Sequence, residues 1–271
     1  MNKRLISHNL FRGSIVLIAL ASFAAGARAE IHTETIEYKQ GDTVLEGYLA
    51  FDPAVAGKRP GVLVVHDWMG QGPFSKSRAE ALAKLGYVAF AADIYGKGVH
   101  PANPKEAGET ASKYKSDRKL MRERVQAALD VLKGQTNVDP TRIGAIGYCF
   151  GGTCVLELAR SGADVAGVVT FHGGLDTPTP EDAKQIKGKV LVLHGADDPF
   201  VKPSDVAAFE DEMRKAAVDW QIVFYANAVH SFTNPAAGTD NSKGAAYNAK
   251  ADARSWEAMK TFFNEIFPEK K

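Results

Sequence analysis

Apolar and polar residues alternate from Thr33 to Lys39 and from Thr43 to Phe51, with Gly41-Asp42 between them, the pattern of an antiparallel hairpin. Val62-Leu63-Val64-Val65 is instead a continuous apolar run, as expected of a strand buried on both faces of a parallel sheet. Comparable short runs occur at Tyr87–Ala92, Arg142–Ile146, Val165–Phe171, Val190–Leu193 and Trp220–Tyr225. Helical patterns fall between them. They cover Ser75–Leu85, ended by Gly86; Lys105–Lys133, with a break near Tyr114–Asp117; Thr153–Arg160; Ser204–Ala217, behind Pro203; and Tyr247–Phe267. Asp93–Pro104 and Asn227–Ala245 read as loops. Strands alternating with helices predict an α/β fold: a mostly parallel sheet with an N-terminal antiparallel hairpin and helices on both faces. Chemistry then belongs in the loops at the carboxyl ends of the strands, where Asp67, Tyr95, Cys149, His172, Asp198 and His230 all fall.

The first residues follow a different pattern. Lys3, Arg4 and Arg12 precede a small, apolar stretch from Ser14 to Ala25, and Ala27-Arg28-Ala29 fits a small-x-small cleavage site. Residues 1–29 are therefore expected to be a cleaved signal peptide, with residues 30–271 forming one domain in the periplasm or outside the cell. The apolar stretch is shorter than the ~20 residues that span a bilayer, so no stable membrane anchor is expected after cleavage. No cysteine follows the cut to accept a lipid. The 33 basic and 32 acidic side chains leave a net charge of +1 and are mixed along the chain. No basic stripe, zinc-ligand spacing or P-loop occurs, which argues against a nucleic-acid partner and gives no metal site. A monomer acting on a small molecule is the expectation.

Candidate chemistry centres on Gly147-Tyr148-Cys149-Phe150-Gly151-Gly152, which follows a predicted strand and opens a predicted helix. This is the context of a nucleophile elbow, Gly-x-Ser-x-Gly, with cysteine in the nucleophile position. The helix amino terminus favours negative charge, hence the thiolate. The amide of Phe150 is placed to receive a developing oxyanion. The alternative is a glycine-rich turn holding an inert, buried cysteine. Cys149 and Cys154 are the two cysteines. Five residues of helix separate Cα atoms by roughly 8–9 Å, beyond the ~7 Å a disulfide tolerates, so Cys154 reads as a core residue.

A thiolate needs a histidine, and the histidine needs a carboxylate to fix its tautomer. In an elbow fold these follow the nucleophile in the order acid, then histidine. Asp198, in Gly195-Ala196-Asp197-Asp198, and His230, in His230-Ser231-Phe232, meet that order, each beyond a strand end. Asp197 and Asp176 are alternative acids. His172 ends a strand but precedes Asp198, and reads as pocket lining. His194 reads as a core histidine, His66 and Asp93 as loop braces, and His32 and His100 as exposed. The second oxyanion donor is expected from His66-Asp67-Trp68-Met69-Gly70, with the amide of Trp68 the candidate. Tyr148 reads as a packing residue.

These segments, together with Ala92-Asp93-Ile94-Tyr95-Gly96, resemble the dienelactone hydrolase family through nearly all of the chain after residue 29. The resemblance implies an α/β-hydrolase fold, Cys149 as nucleophile, His230 as base, Asp198 as orienting acid, and oxyanion donors at Trp68 and Phe150. It implies hydrolysis of a carboxylic ester or lactone through a thioacyl-enzyme, with no cofactor. Where the family carries a thiol-tuning glutamate this chain has Asp67. Where the family grips a substrate carboxylate with arginines it has Lys97 and Asn234. Trp68, Tyr95, Lys97, His172, Phe200 and Phe232 are expected to shape the pocket. Two readings of other classes compete: a ligand-binding protein on the same scaffold, and a thiol redox protein using Cys149.

Overall fold

The computed structural model describes Met1 and residues 30–268. The signal-peptide reading of residues 1–29 therefore lies almost wholly outside the described residues. Among the described residues eight strands form one sheet: β1 (His32–Gln40), β2 (Thr43–Phe51), β3 (Arg59–Val65), β4 (Val88–Ala92), β5 (Val138–Tyr148), β6 (Gly167–Phe171), β7 (Lys189–Gly195) and β8 (Trp220–Tyr225). Their order across the sheet is β1-β2-β4-β3-β5-β6-β7-β8. β2 is antiparallel to both β1 and β4, and every pairing from β4 through β3 to β8 is parallel. The hairpin thus extends the parallel sheet at one edge.

Among the described residues six α-helices cover the sheet: α1 (Pro73–Lys84), α2 (Pro104–Ser116), α3 (Arg118–Lys133), α4 (Phe150–Arg160), α5 (Pro203–Ala216) and α6 (Ala249–Ile266). The strand pleat sorts side chains between two cores. Val62 and Val64 face α1 and α6 with Ala79, Leu82, Met259 and Phe263. Leu63 and Val65 face the other side, with Leu129 of α3, Val155 of α4 and Phe209 of α5. Burial on both faces explains why β3 lacks the alternation seen in the hairpin. The expected break between α2 and α3 falls at Asp117, whose side chain accepts the Leu120 amide at 2.9 Å and so caps α3.

Candidate active site

The site lies where β3, β5, β7 and β8 end. Cys149 forms the whole turn between β5 and α4, with φ 54° and ψ −115°. A non-glycine residue in this region costs of order 1–3 kcal/mol. The turn is tight enough to exclude side chains around it. A Cβ on Gly147 would lie 2.0 Å from the Gly151 carbonyl oxygen, and one on Gly151 would lie 2.3 Å from that of Val65. The Cys149 amide donates to the Phe171 carbonyl at 3.0 Å, which ties the turn to β6.

Asp198 leaves β7 on a short turn closed by its amide on the Gly195 carbonyl. Its Oδ1 accepts the Phe200 amide at 2.8 Å. Its Oδ2 is left for His230 Nδ1, also at 2.8 Å. A carboxylate only accepts, so Nδ1 carries a proton and Nε2 is directed at the thiol. His230 Nε2 stands 3.0 Å from Cys149 Sγ. The Asp198 side chain has no exposed surface and that of His230 has 12%. Burial draws the His230 pKa down, but the facing Cys149 thiolate and the Asp198 carboxylate outweigh it and push it up to about 10. Asp197 is exposed, and Asp176 pairs with Arg118, so neither serves His230.

Trp68 and Phe150 border the same turn. Among the described residues neither amide is engaged by another backbone carbonyl, so both remain as donors. Tyr95 is positioned differently from the sequence expectation. It is buried behind the wall, and its hydroxyl donates to the Trp68 carbonyl at 3.0 Å. It therefore holds the peptide that follows β3 and does not line the pocket.

A cavity of about 630 Å³ opens in front of Cys149 and His230, with Asp67, Trp68, Met69, Phe200, Asn234 and Lys243 among its walls. Asp67 Oδ1 accepts the Met69 amide at 2.9 Å, and Asn234 Nδ2 reaches Asp67 Oδ2 at 3.4 Å. Three other expectations are corrected. Lys97 is on the surface, paired with Glu37 and Glu46; the hairpin supplies those carboxylates, a cross-strand relationship invisible in local sequence. His172 and Phe232 are buried in a layer behind His230 and do not line the cavity. The sequence reading missed Met69 and Lys243. The unusual length of the Asn227–Ala245 loop was the available signal, since long structureless loops in compact domains are commonly functional. His66 braces its loop as expected, its Nε2 accepting the Ile94 amide at 3.2 Å. His194 is buried against Phe224, and burial lowers its pKa.

A model of the dienelactone hydrolase family matches residues 45–267. The chain belongs to the dienelactone hydrolase family. The solved structure m3DLH is 45% identical, with a TM-score of 0.85, covering 88% of this chain and 99% of that one. A dienelactone hydrolase-like promiscuous phosphotriesterase from metagenomic libraries is 43% identical, with a TM-score of 0.83, covering 87% of this chain and 98% of the other. A mouse (Mus musculus) carboxymethylenebutenolidase homolog is 26% identical over 70% of this chain and 76% of its own length. The architecture is thus the α/β-hydrolase fold, and the chain is a hydrolase of the dienelactone hydrolase family.

Proposed function

We propose that this family member is an exported, cysteine-dependent hydrolase of carboxylic esters or lactones, with Cys149, His230 and Asp198 as its triad. The observation that carries the reading is the continuous line from Cys149 Sγ through His230 to Asp198, with contacts of 3.0 and 2.8 Å, at the wall of a cavity sized for a small molecule. The thiolate attacks the carbonyl carbon. The amides of Trp68 and Phe150 hold the oxygen that becomes negative, and losing one such donor typically costs ~3–4 kcal/mol. As the tetrahedral adduct collapses, His230 Nε2–H protonates the leaving alkoxide and a thioester remains on Cys149. Neutral His230 then takes a proton from water, hydroxide adds to the thioester, and the acid departs with the thiolate restored. Asp198 keeps the imidazole in the required tautomer throughout. Asp67, held by Met69 and Asn234, contributes a negative wall near the thiol.

The test is a panel of alkyl esters, aryl esters and lactones, with phosphotriesters as a second class suggested by the metagenomic relative. Cys149→Ala and His230→Ala should each abolish turnover to a comparable residual level, because groups acting as a unit are lost together. Retained turnover in Cys149→Ala overturns the mechanism. Export rests on the basic, apolar and small-residue pattern of residues 1–29. A periplasmic or secreted protein beginning at Glu30 is the expected result of amino-terminal sequencing, and an intact amino terminus the contrary one.

A further inference from the structure

His230 rides on a short turn whose carbonyls are tied to the segment before α6 and to α1. The Ala246 amide donates to the His230 carbonyl at 3.0 Å and the Asn248 amide to the Phe232 carbonyl at 3.0 Å. The Thr233 carbonyl accepts Arg78 Nη2 at 2.7 Å. The same Arg78 nitrogen holds Asp252 Oδ1 at 2.8 Å, and its guanidinium lies over the rings of Phe74, Tyr148 and Trp256. Arg78 on α1 thus pins both the turn and α6.

The Thr233 side chain continues the connection inward. Its hydroxyl, fully buried, lies 2.7 Å from His172 Nε2. The His172 ring meets the His230 ring edge to face, with centroids 5.2 Å apart. The backbone of His172 is itself fixed, in a left-handed conformation with φ 42° and with its amide on the Leu193 carbonyl. His172 Nδ1 is buried without a protein partner among the described residues. An unpaired buried polar atom costs ~1–3 kcal/mol, and a phenyl ring would fill the space without it. The imidazole is therefore explained by its Nε2 contact rather than by packing.

We propose that Arg78, Thr233 and His172 form a positioning strap that sets the plane of the His230 imidazole and so the Nε2–Sγ contact. The proposal rests on the Cys149–His230–Asp198 reading, but it concerns residues that touch no reacting atom. The titratable and charged groups around His172 are His230, His194, Tyr148 and Arg78, and those facing His230 also include Cys149 and Asp198. Burial, followed by the charge of His230, drives the His172 pKa far down, so it stays neutral beside an imidazolium. A second cation there would oppose the first; a neutral, anchored ring limits its rotation instead.

The experiment reads Cys149 directly, without a substrate. The purified protein is alkylated with iodoacetamide from pH 5 to 10, and intact mass confirms one addition, since Cys154 is buried. Thr233→Val removes the hydroxyl at nearly constant shape, and Thr233→Ser restores it. Thr233→Val is expected to move the midpoint of the rate profile up by about one pH unit, a rate about tenfold slower on the limb below the midpoint, and Thr233→Ser to return it. His172→Phe, which keeps the ring and loses Nε2, should behave like Thr233→Val and decides the matter if that variant fails to fold. Profiles of both folded variants that coincide with wild type overturn the strap. Kinetics separates this from the function itself. If wild type hydrolyses esters and Thr233→Val shows unchanged kcat and pH profile, the strap fails and the function stands. If no ester is turned over but the alkylation profile shifts, the strap stands and the function fails.

Discussion

Arg160 and Glu212, both in the interior, are joined by two parallel contacts of 2.8 Å, from Nε to Oε1 and from Nη2 to Oε2. Arg160 Nη1 also donates to Glu157 Oε1 at 3.1 Å, and Arg122 Nε to Glu157 Oε2 at 2.9 Å. The network binds the carboxyl end of α4, the helix that begins at the nucleophile, to α3 and α5. Its weakness is asymmetric. Removing Arg160 leaves the Glu212 carboxylate buried without its cation, which typically costs about 3–5 kcal/mol. Arg160→Met is therefore expected to lower the urea midpoint by that equivalent with an unchanged slope. The double replacement Arg160→Met, Glu212→Met should lose clearly less. A single variant within about 1 kcal/mol of wild type, the scale of exposed pairs, would show that the charges are not held as described.

Gly151 provides the complementary test at the other end of α4. An alanine there would place its Cβ 2.3 Å from the Val65 carbonyl oxygen and 2.5 Å from that of His66, both main chain and unable to swing aside. The turn must move away from β3, carrying Cys149 off His230 and the Phe150 amide off the oxyanion position. Displacements of about 1 Å in such sites can cost 10²-fold, so Gly151→Ala should lose at least that in kcat/KM while remaining folded by circular dichroism. Near-normal activity would mean that elbow geometry is not limiting.

The elbow was legible in the sequence because its requirements are local: two glycines, a nucleophile, and a strand and helix of opposite periodicity around them. The acid and histidine were legible because fold topology orders them. What escaped was set by contacts between distant segments. Tyr95 follows β4 by three residues and looks like a loop residue open to substrate, but its hydroxyl is turned inward to the Trp68 carbonyl. His172 ends β6, as a site residue should, yet Thr233 draws its ring behind His230. Lys97 stands where the resembled family carries an arginine, and the partner that removes it from the site comes from β1. Sheet position, unlike side-chain direction after a strand end, follows from hydrophobic pattern.

Lys97 yields a prediction of no effect. Its ammonium pairs with Glu37 and Glu46 on the surface, with 45% of the side chain exposed, and it does not reach the cavity. Exposed pairs contribute about 0–1 kcal/mol, so Lys97→Ala should leave stability nearly unchanged. KM for a carboxylate-bearing ester should also stay within the error of the assay. Lys243, on the cavity wall, is the cation whose removal should raise KM for that ester relative to its neutral counterpart. A selective KM increase in Lys97→Ala would restore it to the site.

The raised pKa of His230 fixes the sign of the pH dependence. Burial alone would favour the neutral ring; the Cys149 and Asp198 charges reverse this, and the value moves from 6.5 up to about 10. The protonated ring is thus fully present below the ordinary imidazole value and is lost only as pH rises through about 10. Acylation needs that proton for the leaving alkoxide, so kcat/KM for an alkyl ester should fall with a midpoint near 10. An aryl ester expels a stable phenolate and needs little protonation, so its profile should decline much less over the same range. Once the acyl group occupies sulfur, the thiolate charge is gone and His230 loses its largest favourable partner. Its pKa in the thioester then falls, which supplies the neutral base that deacylation requires. Single-turnover release of acid should accordingly titrate at lower pH than acylation, with the two limbs separated. Asp198→Asn should bring the acylation limb down, because one of the two charges that stabilise the imidazolium is then removed. An alkyl-ester profile already falling near 6.5 in wild type would contradict the pairing of His230 with a thiolate.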